Sequence, residues 1–424
     1  MVNRRNDPTG SRGQHGLTRR DVIHGLAALL APVVYPAKIQ ARDEAPQESA
    51  NVAQVGPYDS AILPAGVRSR FVNNGNGLRM HVLEAGPGND RRPCVVLLHG
   101  FPELAYSWRK VMPALASAGF HVVAPDLRGY GRTSGGGLVY EDDTSDFLFL
   151  NAVRDILGLV FAIGYRSVAA VVGHDWGSPI AAWCALVRPD VFPSVVLMSG
   201  PFAGPPSLSS NTTDTRSASP TVSTADPIYE ELAKVTPPRK HYQRYYATRE
   251  ANDNMWHAQQ GVHAFLRAYY HMKSADWKQN KPFPLKAWTA AELAQLPRYY
   301  VMDLDKGMAE TVAPEMPSAA AIAACTWLTD DELRVYSEEY RRTGFQGGLQ
   351  GYRARWTPAY TTELQTFSGC TIDVPSLFIA AKNDWGAHQR AGAFEAMQKT
   401  ACTRMLGMHL LDGAGHWVQQ ERSD

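Results

Sequence analysis

The chain has 424 residues, and its 42 Lys and Arg stand against 41 Asp and Glu for a net charge of +1. That balance leaves no basic footprint for nucleic acid or for an acidic partner. The length allows a substantial core, read as one unit with a lid rather than two independent domains.

Residues 1–41 read as an export leader. Thr18-Arg19-Arg20-Asp21-Val22-Ile23 resembles a twin-arginine signal, with Arg4, Arg5 and Arg12 ahead of it. The mostly apolar run from Val22 to Ala37 falls short of the ~20 residues that span a bilayer and suits a signal's apolar region. Cleavage is expected after Ala37 or Ala41, with residues 42–60 as linker. A working leader implies a periplasmic or extracellular protein, and without one the chain is cytoplasmic. A disordered basic leader or a membrane-surface anchor is the competing reading.

Residues 61–202 read as the first part of an α/β core. Pro93-Cys94-Val95-Val96-Leu97-Leu98 is an apolar strand that runs into His99-Gly100-Phe101-Pro102-Glu103. A second β-branched strand, Arg166 to Val172, leads into Gly173-His174-Asp175-Trp176-Gly177, and a helix follows from Ser178 to Val187. Strand, small-x-nucleophile-x-small, helix is the pattern of a nucleophile elbow, here with a carboxylate where many hydrolases keep a serine. Taken alone, the string also fits a tight turn whose aspartate caps the next helix. The Phe101 and Trp176 amides are the expected oxyanion donors beside Asp175, and His99, Pro102 and Trp176 the expected substrate contacts.

After the strand Val195-Val196-Leu197-Met198 the strand rhythm stops, and residues 203–370 read as a mainly helical, aromatic lid. Ser207 to Thr224 reads as a loop, Asp226 to Val235 as a helix with Asp226 at its N-cap, and His257 to Lys273 and Asp330 to Arg342 as further helices.

Residues 371–424 return to the core. Val374 to Ala381 reads as a strand, and Asp384 beyond its end is where a triad acid belongs. Met408 to Asp412 is a short strand followed by Gly413-Ala414-Gly415-His416. The order Asp175, Asp384, His416 is the nucleophile–acid–histidine order of α/β-hydrolases. The five cysteines, Cys94, Cys184, Cys325, Cys370 and Cys402, lack metal-ligand spacing. Cys94 and Cys184 fall in core elements, and a Cys370–Cys402 disulfide is an option after export.

His99-Gly100-Phe101-Pro102-Glu103-Leu104-Ala105-Tyr106-Ser107-Trp108-Arg109 and Ala124-Pro125-Asp126-Leu127-Arg128-Gly129-Tyr130-Gly131 resemble the epoxide hydrolase family of the α/β-hydrolase superfamily, from about Val67 to the C-terminus. The resemblance implies an α/β-hydrolase fold, a mostly parallel sheet flanked by helices with an inserted helical cap. It also implies two lid tyrosines that hold the epoxide oxygen. Lys240 to Tyr246 points to Tyr242, with His241 and Tyr245 close enough to be confused with it. Thr343 to Arg353 points to Tyr352. Asp175 would attack the ring carbon, and His416, supported by Asp384, would activate water. The products need only a small apolar epoxide and water, with no metal, organic cofactor, nucleic acid or stable membrane span. Relatives continue through a C-terminal helix, so the short run after His416 is expected to expose apolar surface and loosen the His416 loop.

Two other readings share these residues. A haloalkane dehalogenase has the same nucleophile and needs a second halide donor, for which Trp256 or Trp277 is available. A non-catalytic ligand-binding relative on the same scaffold is the other.

Overall fold

The computed structural model describes residues 55–87, 92–135, 139–208 and 227–424. The leader with Thr18-Arg19-Arg20, the N-cap Asp226 and most of the Ser/Thr-rich segment lie outside them. The short apolar runs form an eight-stranded sheet. Its strands are β1 (Val67–Asn73), β2 (Arg79–Ala85), β3 (Cys94–Leu98), β4 (His121–Pro125), β5 (Ala170–His174) and β6 (Val195–Met198), and after the lid β9 (Ser376–Ala381) and β10 (Met405–Leu411). The lid carries its own two-stranded ribbon, β7 (Arg239–His241) with β8 (Val301–Asp303). That antiparallel pair is an addition to the helical lid expected from composition.

The order is β1-β2-β4-β3-β5-β6-β9-β10. β1 and β2 pair antiparallel, as do β2 and β4, and every neighbour from β4 to β10 is parallel. β3 and β4 are buried at all five positions, as parallel strands covered by helices on both faces must be. The chain leaves β3 for β4 on one side and returns to β5 on the other. This reversal opens a crevice at the carboxyl ends of β3 and β5, the place where open α/β sheets bind ligands.

Strand starts differ from the apolar runs in both directions: β5 and β9 begin later, whereas β10 begins at Met405, before the expected Met408. β5 starts at Ala170 rather than Arg166: before it the Val168 N–H bonds to the loop carbonyl of Val191 and the Ala169 N–H to the carbonyl of Cys94 at the start of β3. In the lid, the helix Asp330–Thr343 starts where expected: Thr329 and Glu332 form a capping box, and Gly344 at φ 65 stops it. The helix expected from His257 begins at Gly261, since Ala258–Gly261 closes a turn first.

All five cysteines are free thiols, and Cys402 is buried while Cys370 is exposed, so the optional disulfide is absent. The run after His416 forms a short helix, Val418–Glu421, with Val418, Gln419 and Gln420 buried. Leu406 and Leu410 on the edge strand β10 are exposed, 68% and 39%. Among the described residues no helix is long and apolar enough to cross a membrane.

Candidate active site

The elbow places Asp175 at φ 50, a left-handed conformation that a non-glycine residue adopts only under constraint. A Cβ on Gly173 would lie 2.0 Å from the Gly177 carbonyl oxygen, and one on Gly177 would lie 2.3 Å from that of Leu98. Strand and helix therefore meet backbone to backbone. The Asp175 carboxylate does not cap the helix. Its Oδ1 accepts the Phe101 N–H at 2.9 Å, and its Oδ2 stands 3.2 Å from His416 Nε2. The second contact lacks the alignment of a hydrogen bond, which leaves Nε2 without a hydrogen-bond partner.

His416 Nδ1 donates to Asp384 Oδ1 at 3.0 Å. Asp384 also accepts from the Gly386 N–H at 2.7 Å and from the Ser199 hydroxyl at 2.6 Å. The four groups come from the ends of β3, β5, β9 and the loop after β10, and Ser199 follows β6. Burial alone would push the Asp175 carboxyl up. His416, the Lys273 ammonium and His174 outweigh it and hold the group well below the usual carboxylate range. Asp384 is likewise held down, against burial, by His416, Ser199 and Gly386.

The loop carrying His416 is not loose. The half-buried Glu421 carboxylate accepts the N–H groups of Gly415, Trp417 and Ala275, and the His416 N–H donates to the Lys273 carbonyl at 2.8 Å. These bonds correct the expectation drawn from the short run after His416.

A cavity of ≈ 230 Å³ opens over Asp175. Trp176, Tyr242 and Tyr352 line it, so the expected contacts from both lid segments meet the elbow. Tyr242 donates to Gln389 Oε1 at 3.2 Å and accepts from Gln243 Nε2 at 3.0 Å. Tyr352 packs at 4.9 Å from the Trp176 ring and 6.2 Å from the Tyr242 ring, and its hydroxyl has no partner among the described residues. Its helix, Gln346–Ala354, can come this close because a Cβ on Gly351 would sit 2.8 Å from the Trp176 ring. Burial raises both phenols, so they stay neutral donors. Tyr245 instead lies under Lys240, outside the cavity.

Two expected substrate contacts are corrected. His99 is fully buried, with Nδ1 donating to the Gly100 carbonyl and Nε2 accepting the Leu127 N–H, so both nitrogens are spent on backbone. Pro102 is outside the lining, and its carbonyl accepts the Tyr270 hydroxyl at 3.1 Å. The lid tryptophans considered as halide donors are engaged elsewhere: Trp256 donates to the Arg341 carbonyl and Trp277 to Glu315.

Several groups carried no readable signal. Glu103 sits in the quoted loop motif and accepts the local Gly100 N–H at 3.0 Å, yet its role needs two distant partners, His174 at 2.6 Å and Gln419 at 2.7 Å. His174 Nε2 donates to the His416 carbonyl at 2.7 Å. With a carboxylate on one nitrogen and a carbonyl on the other, both nitrogens must carry protons, and His174 is an imidazolium. Lys273 is buried among the rings of Tyr269, Tyr299, Tyr300 and Trp417, with Nζ 5.2–6.0 Å from their centroids. Among the described residues, no group of His, Cys, Asp and Glu is arranged to hold a metal ion.

Comparison with known proteins agrees with this geometry. The α/β-hydrolase fold family model matches residues 93–423. The epoxide hydrolase of Caballeronia sordidicola is 31% identical over 348 residues, 82% of this chain and 88% of that protein. Epoxide hydrolase B of Mycobacterium tuberculosis is also 31% identical, over 82% of this chain and 93% of its own. The chain belongs to the epoxide hydrolase family. Among solved structures of that family, one from an endophytic Streptomyces superposes with a TM-score of 0.66 at 31% identity, covering 85% of this chain and 93% of that one. Epoxide hydrolase A of Mycobacterium thermoresistibile superposes at 0.63 and 31% identity, covering 84% and 95%. These lengths span core and lid together, so the kinship is not confined to the hydrolase sheet.

Proposed function

We propose that the protein converts an epoxide and water to a vicinal diol through an ester on Asp175. The observation that carries the reading is a carboxylate on the elbow facing two neutral phenols across one cavity, with a histidine–aspartate pair behind it. Asp175 Oδ2 attacks a ring carbon, the C–O bond breaks, and its electron pair goes to the oxygen. That oxygen takes a proton from Tyr242 or Tyr352, leaving a phenolate. The ester keeps Oδ1 as its carbonyl oxygen, already on the Phe101 N–H.

In the second step His416 Nε2 takes a proton from water, and the hydroxide adds to the Asp175 carbonyl carbon. The Phe101 and Trp176 amides bear the oxyanion. Collapse releases the diol and the carboxylate, and the proton on His416 returns to the phenolate. Asp384 and Ser199 orient the imidazole. The engagement of Trp256 and Trp277 with other groups weighs against halide release as the reaction.

The test is turnover of styrene oxide in H₂18O beside a 1-haloalkane panel, together with His416→Gln. Diol formation, with 18O entering the Asp175 carboxylate over repeated turnovers, is expected, and the variant should hold a stable adduct on Asp175. Halide release without diol, or a His416→Gln protein that never gains the mass of the epoxide, would refute the covalent route. An export leader in residues 1–41 remains part of the proposal, tested by N-terminal sequencing of the protein recovered from its native host.

A further inference from the structure

The cavity over Asp175 has an uneven charge. Among its described lining residues Asp175 is the one carboxylate, while two guanidinium groups, Arg355 and Arg390, stand in its walls. Arg355 directly follows the helix Gln346–Ala354 and keeps helical backbone angles, φ −57 and ψ −26. It therefore lies three residues beyond Tyr352 on the same helical face, about 5 Å further along the axis.

Other buried or half-buried arginines of the protein are paired with carboxylates: Arg109 with Glu332, Arg128 with Asp155, Arg132 with Glu339, Arg239 with Asp303 and Arg267 with Asp330. Arg355 differs. It has no hydrogen bond and no ion pair among the described residues, and its Nε is buried without an acceptor. A buried donor left unsatisfied is costly, and a charged one more so. Its neighbours in the wall do not supply an anion. His241 is held neutral, its pKa pushed down to about 3 by burial and by the Arg355 charge, and Gln243 and Gln389 are spent on Tyr242.

We propose that the epoxide substrate carries a carboxylate, which Arg355 binds while Tyr242 and Tyr352 hold the oxirane oxygen near Asp175. This rests on the epoxide hydrolase reading and adds the substrate class to it. The acid's anion completes the guanidinium's hydrogen bonding, and planar two-point pairing orients the substrate along the cavity.

The experiment compares a series of epoxyalkanoic acids, with the oxirane at increasing distance from the carboxylate, against their methyl esters. Substrates are run with the wild-type protein, Arg355→Gln and Arg355→Lys. A charge-assisted pair is worth about ten- to hundredfold, so wild-type kcat/KM should favour the best-fitting acid over its ester by that factor. Arg355→Gln should abolish the preference, mainly through KM, and Arg355→Lys should keep part of it. Acid and ester turned over alike by the wild type would overturn the anionic subsite and leave the hydrolase standing. So would an equal fall for both in Arg355→Gln, which would mean that the charge acts on the Tyr242 phenol instead. No diol from any epoxide, neutral ones included, would overturn the hydrolase reading and this inference with it.

Discussion

Glu103→Gln is the most informative single substitution outside the reacting groups. The Glu103 carboxylate is fully buried and joins three loops: it accepts from Gly100 beside the oxyanion amide, from His174 next to Asp175, and from Gln419 just past His416. Its partner His174 is bonded to the His416 carbonyl. An amide of the same shape leaves the imidazolium without its counter-charge, and a neutral imidazole must then face one acceptor without a proton. Breaking a buried pair in this way costs about 3–5 kcal/mol. Against a typical total of about 5–15 kcal/mol, that loss would be plain in urea unfolding followed by tryptophan fluorescence. Activity should fall with it, by about ten- to hundredfold in kcat, a part of the ~10²–10³ assigned to a whole oxyanion donor.

The pH dependence carries its own sign. Burial opposes the charge on both groups, but the pair holds Glu103 down and His174 up. The Glu103 share of stability is present above the ordinary carboxylate range and lost as pH falls through its depressed pKa. The His174 share is present below the ordinary imidazole range and lost as pH rises through its raised pKa. The difference between wild type and Glu103→Gln should therefore be largest between about pH 4.5 and 6.5. A loss under 1 kcal/mol there, or a His174 ring that titrates by NMR as an ordinary histidine, would refute the imidazolium bridge.

Tyr352→Phe should slow formation of the Asp175 adduct by about 10²–10⁴-fold, read in single-turnover experiments on the His416→Gln background, with unfolding nearly unchanged. Lys273→Met removes a cation that helps keep Asp175 ionised, so the acid limb of the kcat/KM profile should move to higher pH. Gly351→Ala places a methyl against the Trp176 ring, and the shifted helix should lower kcat/KM at a stability cost of about 1–3 kcal/mol. Glu421 is half-buried, and loss of water around its carboxyl pushes it up to about 7 against the amides that favour its charge. Its share of stability is present at low pH and lost as pH rises through 7. Glu421→Gln should flatten that loss, by up to roughly 3 kcal/mol between pH 5 and 8 in urea unfolding.

The elbow, the order Asp175, Asp384, His416 and the strands before them were legible in the sequence because each is a local device. A sharp strand-to-helix turn admits only small residues at Gly173 and Gly177, and a short apolar run rich in β-branched residues between turn signals reads as a buried strand. The two lid tyrosines were legible by resemblance, on segments far from Asp175 in the chain. What the neighbouring side chains do was decided by tertiary packing. His99 belongs to a motif beside the site, yet its ring is consumed by the Gly100 and Leu127 backbone. Ser199, Lys273 and Arg355 lie in stretches with no chemical motif to mark them, and Glu103 lies in a motif that does not announce its distant partners. They matter because sheet order, lid docking and the His416 loop bring residues tens to hundreds of positions apart within hydrogen-bonding or coulombic reach. Short-range backbone geometry is written locally, whereas which charges end up buried together, and which guanidinium is left without a partner, depends on the whole fold.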